Sequence, residues 1–145
     1  MTQTSDIKLD PITLELIFNA LRSVTDETFI ALMKSSYSTN IKERHDHSTA
    51  IVDPKGRLIM QAEHSMPIHI ASMTGLMETM LAKVNFDDLK EGDIFIANDP
   101  HTAGGTHLPD INMAMPIFAE DKLLGFLCNI AHHADIGGMT PGSMA

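Results

Sequence analysis

Two apolar, strand-like segments joined by a short polar connection constrain the fold of this chain more than any other feature. Residues 111–118 and 123–131 flank the sequence Ala-Glu-Asp-Lys at 119–122, a pattern that predicts an antiparallel β-hairpin. Asp110 stands just before the first segment and His132 just after the second. Because the outer ends of a hairpin lie side by side, we expect this carboxylate and this imidazole to be neighbours. Such side chains hold divalent ions, and they do not discriminate among Zn, Mn, Fe and Co.

Two further segments add candidate ligands. His107 precedes Asp110 by three residues, and a proline between them argues against a helix, so the two side chains must meet through loop geometry. Asp46 stands just before another strand-like run. His133 competes with His132 as a ligand. Neighbours on an extended segment point to opposite faces, so we expect only one of these two to bind the ion.

Several other polar residues have both a functional and a structural interpretation. Asp135 either orients a ligand imidazole or caps the turn at the following glycine pair. Glu63, His64 and His69 either form the wall of a substrate pocket or belong to a loop packed on the core. Asp99 either bonds to its own turn or positions the glycine-rich loop that follows it.

The remaining pattern predicts an α+β protein. Residues 11–35 predict a long N-terminal amphipathic helix, with Asp10 as its N-cap and a proline at its first position. We expect this helix to serve as scaffold or subunit contact and to face the core through a stripe of Leu14, Ile17, Phe18, Leu21, Val24, Thr28 and Leu32. Residues 48–52 and 58–62 predict a second antiparallel hairpin, 68–84 a second helix and 94–97 a short strand.

The environment of the other histidines and methionines follows from the same elements. His45 and His47 flank Asp46 and would face away from it in an extended chain, so we expect them at the surface or against a partner. The predicted second helix contains Met73, Met77 and Met80, which we interpret as core or subunit contact.

Composition excludes several classes of protein. A chain of 145 residues with 43% hydrophobic and 20% charged residues fits one soluble globular domain. The formal charge of -9 and the scattered basic residues exclude a nucleic-acid surface. No apolar run approaches the ~20 residues that span a bilayer, and residues 1–10 lack a signal-peptide pattern, so the cytoplasm is the expected location. The single cysteine, Cys128, lies in an apolar run and is expected to be a buried thiol.

Six ordered motifs carry a resemblance to a known family. They lie at residues 10–15, 36–46, 56–64, 98–100, 104–110 and 131–142. In this order they resemble the N-terminal part of the B subunit of the hydantoinase/oxoprolinase family, which also includes the large subunits of acetone and acetophenone carboxylases. The B subunits of that family are several times longer. The resemblance therefore implies that residues 1–145 are an incomplete, N-terminal metal-site portion of a larger mixed α/β subunit.

The resemblance also implies site residues. By motif match it assigns Asp46, His107, Asp110 and His132 as ligands of one divalent metal ion. The hairpin supports independently only the proximity of Asp110 and His132. The residues assigned to orienting the ligands or lining a substrate pocket are His133, Asp135, Glu63, His64 and Asp99.

The function implied by the resemblance is one half of an ATP-dependent enzyme. An A-type subunit would bind ATP and Mg and phosphorylate the substrate, and the B-type metal site would complete ring opening of a hydantoin or of a 5-oxoproline-like cyclic amide. The resemblance thus implies a hetero-oligomer with ATP on the partner. This chain itself has neither a phosphate-binding glycine fingerprint nor a serine-nucleophile motif, so we expect no nucleotide site within it. Two alternatives remain open: a subunit of an ATP-dependent carboxylase acting on a ketone such as acetone or acetophenone, and a non-catalytic interaction module.

Overall fold

The computed structural model describes residues 10–144, which form one five-stranded antiparallel sheet and its helices. Residues 1–9, predicted to carry no targeting signal, lie outside this range. The strand order is β2-β1-β5-β4-β3, and every adjacent pair is antiparallel. The elements in chain order are α1 (Pro11–Ser35), α2 (Thr39–Lys42), β1 (His47–Val52), β2 (Leu58–Gln61), α3 (Pro67–Lys83), β3 (Phe95–Ala97), β4 (Asp110–Ala119) and β5 (Lys122–His132). The predicted α+β class is confirmed.

Both predicted hairpins form. β1 pairs with β2, and β4 pairs with β5 from Asp110↔His132 at the outer end to Ala119↔Lys122 at the turn. The two central turn residues have positive φ, 49° at Glu120 and 60° at Asp121. Positive φ at both positions is the geometry of a type I′ turn, whose twist matches that of the flanking strands. The turn therefore sets the register of the first pairs, and an irregularity between Ile117 and Phe118 shifts the pairing by one residue over the rest of the hairpin.

Helix α3 covers one face of the sheet and forms the core with it. Its buried apolar side chains, Met73, Leu76, Met77 and Met80, pack on Ala50, Val52, Ala114, Phe126, Cys128 and Ile130. Successive strand residues point to opposite faces, so the even-numbered positions of β1 and β4, and those of β5 from Phe126 onward, face α3. The methionines are core residues, as predicted, and Cys128 is a buried thiol.

Helix α1 has the predicted bounds but not the predicted packing. Asp10 caps it by accepting hydrogen bonds from the backbone N–H groups of the second and third helical residues. Of the predicted stripe, Leu14 (55%), Phe18 (50%) and Val24 (47%) are exposed, and the two buried residues of α1 are Thr25 and Phe29. The second half of α1 lies against β1. Thr49 Oγ1 donates a hydrogen bond to the Thr25 carbonyl there, at 2.9 Å.

Within residues 10–144, no helix joins the length and the apolar character needed to cross a bilayer.

Candidate metal centre

The start of β1, the start of β4 and the end of β5 meet at one end of the sheet. Asp46 immediately precedes β1, Asp110 begins β4 and His132 ends β5, so three of the four predicted ligands come together here. The β4–β5 register places Asp110 opposite His132, and His132 Nδ1 lies 3.3 Å from Asp110 Oδ1. The β1–β5 register pairs His47 with Ala131, so Asp46, one residue earlier, comes beside His132. The backbone N–H of His132 donates to the Asp46 carbonyl at 3.0 Å, which fixes this meeting point.

His107 joins this group from the loop that precedes β4. Its Nδ1 lies 3.2 Å from Asp110 Oδ2, and its ring is edge-on to that of His132 with 4.7 Å between centroids. One donor atom from each of His107, Asp110 and His132 lies within 4.8 Å of the other two. We call these three side chains the strand-end cluster. The loop geometry expected for His107 and Asp110 is therefore present.

The loop that carries His107 is held tightly against α3. At Gly75 an added Cβ would come within 2.6 Å of the Gly104 Cα, so neither backbone leaves room for a side chain. Gly104 also has φ +73°, a conformation that side-chain-bearing residues rarely adopt. Farther along, Asn98 Nδ2 donates to the Leu108 carbonyl at 2.9 Å. These contacts hold the loop that carries His107 in place relative to α3.

Buried polar atoms of the strand-end cluster have no hydrogen-bond partner. Asp110 is 2% exposed, and both His107 Nδ1 and Asp110 Oδ1 lack a partner among the described residues. The close approaches at 3.2 and 3.3 Å lack the alignment of a hydrogen bond, although Thr106 Oγ1 donates to the other carboxylate oxygen at 2.6 Å. Buried polar atoms are nearly always satisfied, so this donor set has the chemistry of a divalent-cation site.

Asp46 lies beside the strand-end cluster rather than within it. Its Oδ2 is 3.7 Å from His132 Nδ1, and its Oδ1 is 3.4 Å from His69 Nε2. The Asp46 side chain is 31% exposed, against 3% for that of Asp110. Of the four predicted ligands, three form a compact group and the fourth borders it on the solvent side.

His69 is the neighbour that sequence reasoning did not connect to the predicted ligands. It lies in the first turn of α3 and is 3% exposed, so it is neither in a loop nor on an open pocket wall. Burial lowers the pKa of its imidazole, and the carboxylates of Asp110 and Asp46 oppose that shift. The signal that was available is its position in the first turn of a core-packing helix, whose inner face must meet the sheet.

Asn112 is a second residue that sequence reasoning missed. It lies two positions after Asp110 on β4, which puts both side chains on the same face of the sheet. The residue is fully buried, and neither its Oδ1 nor its Nδ2 has a hydrogen-bond partner among the described residues. Its sequence context, within an apolar strand, gave no hint of this.

His133 faces away from the strand-end cluster, as strand alternation predicts. Its backbone N–H donates to the Pro109 carbonyl at 2.9 Å. Its side chain lines a groove of about 380 Å³ on the other face of the sheet, together with Leu32, Tyr37 and Ile111. Burial lowers the pKa of His133. The residue therefore belongs to the groove and is not a neighbour of the cluster.

Asp135 caps its own loop. Its Oδ1 accepts from Gly137 N at 2.7 Å and from Ser143 Oγ at 2.6 Å, and its Oδ2 accepts from Gly142 N at 3.0 Å. The hydrogen bond from Ser143, followed by those from the two glycines, lowers the pKa of Asp135 to about 2. These contacts support turn capping. Among the described residues, no hydrogen bond joins the Asp135 carboxylate to an imidazole of a predicted ligand.

The remaining predicted pocket residues lie outside the strand-end cluster. Glu63 is exposed and accepts a hydrogen bond from Arg22 at 2.7 Å, and His64 is exposed beside a small cavity of about 200 Å³ that Glu63 also lines. Asp99 accepts from His101 N at 2.8 Å and from Thr102 Oγ1 at 2.6 Å, which lowers its pKa. The contacts that Glu63 and Asp99 make with other residues of the same chain, and the exposed position of His64, support the structural interpretation of these three residues.

The expectation that His47 lies at the surface or against a partner is wrong. His47 is fully buried, stacks on Phe29 with 3.9 Å between ring centroids and bonds to the Phe29 carbonyl through Nε2 at 3.0 Å. The reason is that α1 packs on the face of β1 opposite to α3. Burial lowers the pKa of the His47 imidazole. His45, by contrast, is exposed, as expected, and has φ 56°.

The architecture that carries the cluster is shared with solved enzymes. The chain matches acetone carboxylase, solved in a nucleotide-free state, with a TM-score of 0.81 and 25% identity over 94% of this chain and 18% of that chain. It matches the ATP-dependent caprolactamase of Pseudomonas jessenii with a TM-score of 0.77 and 31% identity over 93% of this chain and 23% of that chain. The fold is therefore that of a segment found in ATP-dependent enzymes.

The family assignment is more specific. The family model described as hydantoinase B/oxoprolinase matches residues 10–145. The 5-oxoprolinase of Saccharomyces cerevisiae is 41% identical over 140 residues, which cover 96% of this chain and 11% of that protein. This chain belongs to the hydantoinase B/oxoprolinase family, which confirms the resemblance of its motifs. It spans between about a tenth and a quarter of the length of these similar proteins.

Proposed function

We propose that residues 10–145 supply the metal-binding portion of a hydantoinase B-type domain, with His107, Asp110 and His132 as ligands and Asp46 as the fourth. The observation that carries the proposal is the pair of buried atoms His107 Nδ1 and Asp110 Oδ1, which have no hydrogen-bond partner within residues 10–144. Leaving such atoms unsatisfied costs about 1–3 kcal/mol each. A bound cation would satisfy both, and the two imidazoles and two carboxylates suit a divalent ion.

The site would be open on one side. The side chains of Asp110 and His132 are 3% and 12% exposed, whereas those of His107 and Asp46 are 33% and 31% exposed. A substrate would therefore approach between His107 and Asp46. The buried Asp110 would supply negative charge from beneath, and the strand pairing would hold it and His132 in register.

The proposed reaction is the hydrolysis of a cyclic amide in an ATP-dependent complex. A divalent ion in this site would polarise a carbonyl oxygen or lower the pKa of a bound water. A cyclic amide is a weak electrophile, and phosphorylation of its oxygen by an ATP-binding A-type partner would make the carbonyl carbon electrophilic enough for water to add. The ring C–N bond would then break as the nitrogen takes up a proton, and hydrolysis of the resulting acyl phosphate would release the carboxylate and phosphate. This chain would then orient the incoming water through its carboxylates. Support comes from family membership and from the names of two similar proteins, 5-oxoprolinase and ATP-dependent caprolactamase.

An alternative function is that of a subunit of an ATP-dependent ketone carboxylase. The observation that favours it is the TM-score of 0.81 with acetone carboxylase. In that reaction a divalent ion held by the same four side chains would stabilise the enolate oxygen of the ketone instead of activating a water. The residues near the strand-end cluster do not distinguish the two reactions.

The metal assignment is tested by elemental analysis of the native protein, purified with any subunits that accompany it. We expect about one equivalent of metal per chain, falling to near none in Asp110→Ala and in His132→Ala, because a partly dismantled site binds far more weakly. Asp46→Ala and His107→Ala test the more exposed ligands. Asp99→Ala and His64→Ala are matched controls that should keep the metal. Unchanged metal in all four ligand variants would contradict the proposal.

The reaction is tested on the same complex with ATP. We expect ATP-dependent ring opening of 5-oxoproline or of a hydantoin, lost in Asp110→Ala. Product from acetone or acetophenone with bicarbonate would establish the carboxylase instead. A complex that binds metal and turns over neither class of substrate would favour the interaction module.

A further inference from the structure

A buried chain of polar contacts runs from the backbone of α3 to Asp46. The backbone N–H of Met66 donates to Ser48 Oγ at 2.8 Å, and Ser48 Oγ lies 3.0 Å from His69 Nδ1. The other ring nitrogen, His69 Nε2, lies 3.4 Å from Asp46 Oδ1. Ser48 is fully buried and His69 is 3% exposed, so water does not compete for these groups.

The contacts determine which nitrogen of His69 carries the proton. A serine hydroxyl has one proton to donate, and its oxygen already accepts one from Met66. Donating that proton to His69 Nδ1 leaves the imidazole proton on Nε2, where it faces the Asp46 carboxylate. In the opposite tautomer, with the proton on Nδ1, the Ser48 hydroxyl proton would have no acceptor at His69. The lone pair of His69 Nε2 would then face the negatively charged Asp46 carboxylate. The Nε2–H tautomer therefore satisfies the whole chain of contacts.

The backbone of Asp46 is already fixed, so its side chain is what His69 would orient. Asp46 N donates to the Asn40 carbonyl at 2.9 Å, and the Asp46 carbonyl accepts from His132 N at 3.0 Å. Two side-chain torsions remain free in a residue that is 31% exposed on its side chain. With Oδ1 held by His69, Oδ2 is directed toward His132, 3.7 Å away.

The order Ser48–His69–Asp46 is not that of a working nucleophile. A nucleophilic serine must be reachable by substrate, whereas Ser48 is fully buried and its oxygen is engaged by Met66. The direction of the contacts is instead that of a support for the carboxylate. Partners that orient a ligand in this way commonly change metal affinity by ~10–100-fold when removed.

We propose that His69 is a positioning residue that holds Asp46 in the orientation needed by the candidate metal centre, with Ser48 fixing its tautomer. The inference rests on the proposed function, because it gives Asp46 a ligand's role. His69 acts through Asp46 and touches neither the ion nor the substrate.

Two polar substitutions of His69 separate positioning from folding. In His69→Asn the amide retains the reach to Ser48 but is too short to reach Asp46. In His69→Gln the longer amide places a donor near the former Nε2. The readouts are Zn affinity, by competition with a chromogenic chelator, and the visible absorption of the Co(II)-loaded protein, which reports ligand number and geometry. The native complex is used throughout.

We expect His69→Asn to weaken Zn binding by ~10–100-fold and to alter the Co(II) spectrum, and His69→Gln to stay within about threefold of the original. The matched control is His47→Gln, at an equally buried imidazole that bonds to the Phe29 carbonyl instead of a carboxylate. It should leave both readouts unchanged.

Each other outcome overturns the inference. Equal affinity in His69→Asn and the original protein would show that Asp46 needs no support, and equal losses in the two His69 variants would show a purely structural role. Asp110→Ala separates this from the proposed function. If it retains Zn, the metal centre itself is wrong, whereas if it loses Zn while His69→Asn does not, only the positioning role fails.

Discussion

The two ends of the β4–β5 hairpin belong to the same pair of strands and differ in chemistry. At one end Asp110 and His132 are enclosed by β1, α3 and the glycine-bearing loop, and the buried Asp110 Oδ1 has no hydrogen-bond partner in the part of the chain that the structure describes. At the other end Glu120 and Asp121 are exposed beside a cavity of about 450 Å³, also lined by Lys90. Water satisfies the charges there. The comparison teaches that burial of converging donors, rather than cavity size, marks the candidate site.

The largest effect is expected where the loop meets α3. In Gly104→Ala the new Cβ would lie 2.6 Å from the Ser72 carbonyl oxygen at a φ of +73°, so strain and overlap should together lower the free energy of unfolding by ~3 kcal/mol. Metal content should fall as well, because this loop carries His107. Urea denaturation measures the first effect and elemental analysis the second.

Gly92→Ala is the control for that substitution. Gly92 has φ +91° with nothing within 4 Å of an added Cβ, so only the conformational cost of about 1 kcal/mol applies. Equal losses in the two variants would mean that the contact between Gly104 and α3 is unimportant.

A smaller effect of opposite sign is expected at the hairpin turn. Glu120 and Asp121 both have positive φ, which Asn and Gly adopt more readily. The double substitution Glu120→Asn with Asp121→Gly should raise the free energy of unfolding by about 1 kcal/mol. Thermal unfolding measures this, and metal content should not change. A change in metal binding would contradict the prediction that the hairpin turn and the strand-end cluster are independent of each other.

The loop that follows β5 should respond to acid only at low pH. The pKa of Asp135 is about 2 in the folded chain, below its ordinary value of 3.8, so the unfolded state binds the proton more readily. Its stabilising contribution is present above about pH 4 and is lost as the pH falls toward 2. Amide exchange at Gly142 measures it, and Asp135→Asn should accelerate that exchange already at pH 6. Titration of this carboxyl near pH 4 would contradict the prediction.

The smallest expected signal is the reaction of the Cys128 thiol with a thiol reagent in the folded protein. Burial in the core raises the pKa of its thiol to about 12. Because the thiolate is the reactive form, we expect almost no modification by a thiol reagent at pH 8 in the folded protein and complete modification in urea. Rapid labelling of the folded chain would show that the core under α3 opens.

Local pattern predicted those parts of the molecule whose partners are close in sequence. The 119–122 connection predicted the β4–β5 hairpin and therefore that its outer ends, with Asp110 and His132, lie side by side. The one-residue register shift between Ile117 and Phe118, which makes these two residues direct partners, was not predicted. The bounds of α1 followed from apolar spacing, from the Asp10 cap and from a proline at the first position. The predicted helix at 68–84 differs from α3 by one residue at each end. Strand alternation correctly separated His132 from His133, which lines the groove on the opposite face.

The parts that local pattern missed depend on pairing between distant segments. Asp46 reaches His132 through the β1–β5 register, for which the sequence of neither strand contains a signal. The same pairing makes β1 a central strand buried on both faces, which explains why His47 and His69 lie in the interior. Apolar periodicity in α1 predicted a helix but not which half would be covered, because that depends on where the helix crosses the sheet.

The strand ends that carry the cluster have a consequence for biogenesis. Asp46 and His132 become neighbours only when β1 has paired with β5, and His107 arrives only when its loop has closed on α3. An unfinished chain on the ribosome would therefore present scattered, weak donors rather than a pocket. Binding of the proposed ion would therefore follow folding of the sheet, and it would stabilise the folded state against unfolding.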